Sequence, residues 1–221
     1  VVGDLLAGQK LITWSSTSTD IVGILIELSN DGGVLYLATI DANAKNSGSY
    51  SWNTSTSADG ILNRLRLTAF DASGLSSTPA FMAGEFTIDN TAPTIQLISP
   101  IGGENLAGTT LPISWTSSDI SPSTVQIDLS SDSGNTFNPL ASVSDTGSYN
   151  HTTALPEGAG YRIRVRATDL TGKSSVPSAS TTNFAIDRTP PILASGALTV
   201  ANNSPTSVTV NWTGASDLIT S

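Results

Sequence analysis

Tyr161-Arg162-Ile163-Arg164-Val165-Arg166-Ala167-Thr168-Asp169 is the stretch that decides the fold. Tyr161, Ile163, Val165 and Ala167 alternate with three arginines. A period of two residues puts one face of an extended strand on a core and the other in water. The same alternation sets Val125, Ile127 and Leu129 against Gln126, Asp128 and Ser130. Asn30-Asp31-Gly32-Gly33 and Asp132-Ser133-Gly134-Asn135 separate such runs, and this turn chemistry favours hairpins. No segment carries an apolar stripe of helical period.

Working outward, the deciding stretch has a sister, Arg64-Leu65-Arg66-Leu67-Thr68-Ala69-Phe70-Asp71, and the likeness extends through the chain. Leu11-Ile12-Thr13-Trp14 returns as Leu111-Pro112-Ile113-Ser114-Trp115, Gly48-Ser49-Tyr50 as Gly147-Ser148-Tyr149, and Phe86-Thr87-Ile88-Asp89 as Phe184-Ala185-Ile186-Asp187. The spacing runs from 98 residues (Asp89 to Asp187) to 101 (Trp14 to Trp115). A third copy opens after Pro191, with Val208-Thr209-Val210-Asn211-Trp212 at the tryptophan position. Repeats of this length call for tandem modules over 1–91, 92–189 and 190–221. About seven short strands in each hundred residues suits a β-sandwich. Thr94-Ile95-Gln96-Leu97-Ile98 reads as the first strand of the second module. The first module shows no counterpart, and the third holds only its opening strands. Two origins are open: an excised window of a longer array, or strand addition by another subunit.

Composition bounds the function. The chain has 221 residues, no cysteine, one histidine, 12% charged residues and a net charge of −9. Disulfides and thiolate metal sites are excluded, and zinc chemistry nearly so. The acidic balance argues against nucleic acid and anionic lipid, which need basic patches. No run approaches the roughly 18 apolar residues of a membrane span. An acidic, lysine-poor surface suits an extracellular protein and can attract divalent cations.

The residues resemble a known family. Leu155-Pro156 followed by the Tyr161–Ala167 run, Gly172 and Ser174 is similar to fibronectin-III domains from the E–F corner through strand F. The resemblance implies a tyrosine hydroxyl tied to nearby backbone. Trp14, Trp115 and Trp212 resemble that family's strand-B core tryptophan. Ile88-Asp89-Asn90-Thr91-Ala92-Pro93 resembles the Asp-x-Thr-x-Pro junctions of bacterial immunoglobulin-like repeats in large surface adhesins. The first repeat departs from the pattern, because Asn63 falls where Tyr161 would be. The expectation is an all-β chain of tandem Ig-like or fibronectin-III-like β-sandwiches in a linear array, outside the cell or on its surface. Its function is then structural or adhesive, as a stalk, spacer or filament component of a bacterial protein. Two alternatives stand: a self-assembling fibre subunit completed by strand exchange, and a carbohydrate-binding accessory module of a secreted glycan-active enzyme.

Nothing points to catalysis. His151 aligns with Trp52 of the first repeat and has no nucleophile motif beside it, so it reads as a surface or packed strand residue. Ser130–Phe137 is similar to the Asp-box of sialidases, a structural hairpin turn whose aspartate caps amides. Arg162, Arg164 and Arg166 form a row that would grip an acidic glycan or pair with strand-C carboxylates such as Asp128 and Glu27, and ion pairing is the stronger account. Lys10, Lys45 and Lys173 do not recur, which discounts an isopeptide staple. Trp52 is the one tryptophan without an assigned core position.

One constellation recurs where modules meet. Asp89 and Asp187 end the last strands, Asp71 and Asp169 open Asp-x-x-Gly loops after strand F, and Asp20, Asp119 and Asp217 follow the tryptophan strands. Calcium takes six to eight oxygen ligands, and carboxylates from a strand end and the next module would supply them. The bland reading is that Asp89 and Asp187 merely cap the turn before Thr-x-Pro. Strand topology puts the loops of one module at opposite ends, so the expected site pairs Asp89 with loops of the second repeat, through Asp119 or Asp169. Expected partners are neighbouring modules, further copies in a fibre, or a cell-surface glycan or protein.

Overall fold

The structure of the chain, a computed structural model, describes residues 3–152, 154–193, 198–204, 206–212 and 215–216. The described residues are all-β apart from one 3-10 turn at Thr54–Thr56. The chain divides into two compact units. The first takes residues up to Thr94 together with the loops Ser118–Ser123 and Ala167–Ser175, and the second takes the rest.

In the first unit the strands are β1 (Leu5–Leu6), β2 (Gln9–Thr13), β3 (Ile21–Ser29), β4 (Ala38–Ala44), β5 (Ser49–Asn53), β6 (Gly60–Asp71), β7 (Ala80–Phe81) and β8 (Phe86–Ile88). One sheet runs β1-β8-β6-β3-β4, with β7 also on β6, and faces the pair β2-β5. Between them lie Ile12, Ile24, Ile26, Trp52, Phe86 and Ile88, all buried. Burying each such side chain stabilises by about 1.5–3 kcal/mol. Trp52 packs edge-on against Phe86, with ring centroids 6.1 Å apart, so this tryptophan is core and not a binding platform.

The second repeat, whose strands lie mostly in the second unit, has β9 (Thr94–Ser99), β10 (Asn105–Leu106), β11 (Leu111–Ser118), β12 (Pro122–Ser130), β13 (Asn138–Ser144), β14 (Ser148–His151), β15 (Gly158–Asp169), β16 (Ser178–Ala179) and β17 (Phe184–Ile186). Its sheets run β10-β17-β15-β12-β13, with β16 on β15, and β14-β11-β9. The alternation of β15 is realised directly. Tyr161, Ile163, Val165 and Ala167 are buried, while the arginines between them are not. From the third repeat, β18 (Ile192–Leu193) pairs with β21 (Ala215–Ser216), and β19 (Leu198–Ser204) with β20 (Ser207–Trp212). The Trp212 side chain and Asp217 lie outside the described residues.

The Tyr161 hydroxyl donates to the Pro156 carbonyl at 2.7 Å, which is the corner implied by the resemblance. In the first unit Asn63, fully buried, donates through Nδ2 to the Gly60 carbonyl at 2.6 Å. A shorter side chain thus ties the same corner. Most of the outward arginines are spent on the sheet. Arg164 pairs with Asp128 at 2.8 Å and lies over the Phe137 ring; Arg66 pairs with Glu27 at 2.7 Å and lies over Tyr36. Arg162 donates to Asn183, and Arg166 is exposed. In both pairs the carboxylate is the more buried partner, so each arginine answers a charge that is largely withdrawn from water.

Both hairpin tips are Asp-capped. Asp132 accepts from the Thr136 amide and hydroxyl and from Ser130 Oγ, which hold its carboxyl down to about 2. Asp31 accepts from the Val34 and Leu35 amides and from Ser29 Oγ, and is lowered in the same way.

Candidate cation site

Three of the recurrent aspartates converge within the first unit. Asp89 follows β8, Asp119 follows β11, and Asp169 closes β15. A carboxylate oxygen from each lies within 4.8 Å of one from each of the others. Asp89 is fully buried, Asp169 is 3% exposed, and Asp119 is half-buried.

Local structure explains each placement. Asp169 opens the Asp-x-x-Gly loop, and its Oδ1 accepts from the Thr171 amide, the Thr171 hydroxyl and the Lys173 amide, each at 2.8 Å. Gly172 closes that turn at φ +90°, a left-handed conformation that glycine adopts without penalty. These three bonds consume one oxygen and leave Oδ2 pointing elsewhere. The Asp89 amide bonds the Leu6 carbonyl at 3.0 Å, which fixes its backbone at the end of the β8 pairing. Asp89 Oδ2 accepts from Ser121 Oγ, and the Ser121 carbonyl accepts from the Leu170 amide at 3.0 Å. Lys173 Nζ donates to the Asp89 backbone carbonyl at 2.7 Å and to Thr171 Oγ1 at 2.6 Å.

Each of the three carboxylates keeps one buried oxygen that no protein group answers: Asp89 Oδ1, Asp119 Oδ2 and Asp169 Oδ2. A buried acceptor without a donor costs about 1–3 kcal/mol, more when charged, so three together call for a partner. Among the described residues no ion pair joins Lys173 to any of them. Burial first, and then the negative charges of Asp89 and Asp169, push the Asp119 carboxyl above its ordinary value, against the backbone amide of Ile120. An oxygen-only donor set with crowded negative charge fits a hard cation such as calcium.

The remaining sequence candidates do not join this cluster. Asp71, the counterpart of Asp169, caps its own loop through Ser73 and Leu75, and those bonds lower its carboxyl. Asp187 accepts the Thr189 amide at 3.0 Å, so at that junction the turn-capping reading holds. At Asp89 it does not. The turn after Asp89 is capped by Asp59, which takes the Asn90 amide and the Thr91 amide and hydroxyl. Glu157 does the same work for Arg188 and Thr189. Sequence reasoning missed Asp59 and Glu157, although they recur at the 98-residue spacing of Asp89 and Asp187. Ser121 was missed as well, since no recurrent serine marks it in the first repeat.

No protein-family model matches the chain, and no curated protein matches it. Among solved structures, the fibronectin(III)-like modules of CbhA from Clostridium thermocellum match 84% of this chain and 89% of their own, at 19% identity and TM-score 0.35. The FN1–FN3 domains of chicken CNTN1 match 96% of this chain and 73% of theirs, at 16% identity and TM-score 0.39. A tetra-tandem repeat from the extending region of a large adhesion protein matches 82% of this chain and 50% of its own, at 22% identity and TM-score 0.36. The strand order of each unit carries the fold by itself: the chain is all-β and built of sandwich repeats, and the solved structures it is similar to are fibronectin-III-like and immunoglobulin-like tandem repeats.

Proposed function

We propose that the chain is a structural repeat segment of an extracellular bacterial protein, surface-attached or secreted, whose repeats are pinned by calcium at Asp89, Asp119 and Asp169. The observation that carries this reading is the convergence of three carboxylates, each with a buried oxygen lacking a protein donor. Calcium accepts irregular sets of six to eight oxygens, whereas magnesium demands near-octahedral geometry and gives up water reluctantly. Zinc prefers nitrogen and sulfur, and the chain has one histidine and no cysteine.

The mechanical logic follows from where the ligands come. Asp89 ends the last strand of one repeat, and Asp119 and Asp169 belong to loops of the next. A cation held by all three resists separation of that strand end from those loops. Pro93 and the Pro190-Pro191 pair restrict the intervening backbone. Repeats that bury their own cores let copy number set length, which suits a spacer. His151, the one histidine, lies in β14 beside the Tyr149 ring.

Single-molecule force spectroscopy on the chain tests this. The unfolding force of the first unit is expected to rise in calcium and to fall back with chelator, because forced unfolding follows the unfolding barrier. Equal forces in both conditions would refute the proposal.

A further inference from the structure

β2 pairs on one side with β5, and among the described residues no strand pairs with its other side. Along that edge runs a cleft of about 530 Å³, lined by Leu6, Ile12, Trp14, Leu67, Met82 and Phe86. A second cleft of about 420 Å³ shares Trp14, Leu67 and Ala80 with it and continues to Asp71. Free backbone donors and acceptors beside an apolar trough are the two halves of a strand-binding site.

The second unit shows the occupant. There β11 corresponds to β2, since Trp115 and Trp14 donate their amides to Gly147 and Gly48 in the same way. β11 carries β9 on the edge that β2 leaves free. Thr94, which opens β9, donates through Oγ1 to the carbonyl of Ser118, which closes β11, so β9 runs back along it. Ile95 is half-buried and Leu97 is 4% exposed, while Thr94, Gln96 and Ile98 face outward. The Leu97 amide donates to Ser178 Oγ at 3.0 Å, and the Pro100 carbonyl accepts from Ser180 Oγ at 2.8 Å.

Burial differs between the two units along this edge. Ile163, Val165 and Trp115 are 0%, 0% and 3% exposed under β9, whereas their counterparts Leu65, Leu67 and Trp14 are only half-buried. Ser180 and Met82 occupy one position, donating their amides to Ile163 and Leu65. The first unit thus offers Ala80 and Met82 where the second offers Ser178 and Ser180.

We infer that this cleft is an acceptor for one extended peptide strand of the chemistry of Thr94–Ser99, added antiparallel to the free edge of β2. The strand carries apolar side chains at alternate positions, as Ile95 and Leu97 do. With Ala80 and Met82 supplying no hydroxyl, the incoming strand is held by backbone bonds to β2 and by burial of its apolar face, not by side-chain hydrogen bonds. A charged residue at the Leu97 position would give up the apolar burial that holds the strand and would bring a desolvated charge into the trough, and is excluded. This site is independent of the cation cluster.

The test is a synthetic peptide, Ala-Pro-Thr-Ile-Gln-Leu-Ile-Ser, added in trans to the whole chain and followed by amide hydrogen exchange. At tenfold over its Kd it should slow exchange of the free-edge amides of Gln9–Thr13 by about tenfold. The same peptide with aspartate at the Leu97 position should do nothing. Equal protection by both peptides, or none by either at millimolar concentration, would overturn the inference. Dimers of the chain that the peptide fails to displace, seen by light scattering, would make a second copy the occupant and would also overturn it.

Discussion

Replacing Asp89 by asparagine separates a cation ligand from a simple hydrogen-bond acceptor, because the two roles predict opposite signs. Asp89→Asn keeps the shape and leaves an amide oxygen to accept from Ser121 Oγ, the one side-chain bond Asp89 makes. It removes one negative charge whose carboxylate lies within 4.8 Å of two others. At that separation and an effective dielectric near 20, each like-charge pair costs about 3 kcal/mol, discounted for the water that reaches half-buried Asp119. In chelator the variant should therefore be at least as stable as the parent, with a gain on the order of 1–3 kcal/mol. In calcium at 100 times Kd the parent should gain about 2.7 kcal/mol by mass action, roughly 10 °C in Tm, and Asp89→Asn should gain under about 1 kcal/mol. Urea unfolding in calcium and in chelator reads both numbers. A stability difference between Asp89→Asn and the parent that is the same in calcium and in chelator would overturn this, since Asp89 would then be only the acceptor for Ser121, a role asparagine keeps.

Further expectations follow from the same geometry. Lys173→Met removes the ammonium that donates to the Asp89 carbonyl, so calcium affinity should tighten by about tenfold in a competition assay, or about 1.4 kcal/mol. Tyr161→Phe should cost the second unit about 1–2 kcal/mol in urea unfolding, because the Pro156 carbonyl loses its donor. Asp132 has a folded value of about 2 against 3.8 ordinarily, so its contribution is present above 3.8 and is lost as pH falls toward 2. Carboxyl NMR titration should show that midpoint, and Asp132→Asn should lose less stability over the same interval. Arg164→Ala should cost about 1–3 kcal/mol, because it strips the largely buried Asp128 of its charged donor, and should leave retention on an acidic-glycan affinity gel unchanged, as expected of a guanidinium spent on Asp128 and Phe137.

How much was legible in the sequence depended on whether a contact leaves a periodic or recurrent trace. The β15 alternation places Ile163 and Val165 inside and Arg164 outside, because strand geometry leaves no other option. The pairing of Arg164 with Asp128 follows from the strand order of the fold. The convergence on Asp89 was legible as far as a choice between Asp119 and Asp169, and the structure brings both to it. Topology says which end of a sandwich a loop occupies, but not the last few ångströms. Trp52 shows the limit of periodicity: alternation gives a face, while burial against Phe86 depends on which side chain lies across the core. Asp59 and Glu157 were hidden for another reason. They cap turns about 30 residues away in sequence, so no local motif contains both partners.

Isothermal titration of calcium into the chelator-stripped chain reads the proposed site at Asp89, Asp119 and Asp169 without an intermediary. A saturable heat is expected that Asp89→Asn, Asp119→Asn and Asp169→Asn each abolish or weaken at least tenfold, while Asp71→Asn leaves it unchanged. Absence of heat at millimolar calcium, or a heat indifferent to all three substitutions, would contradict the proposed site.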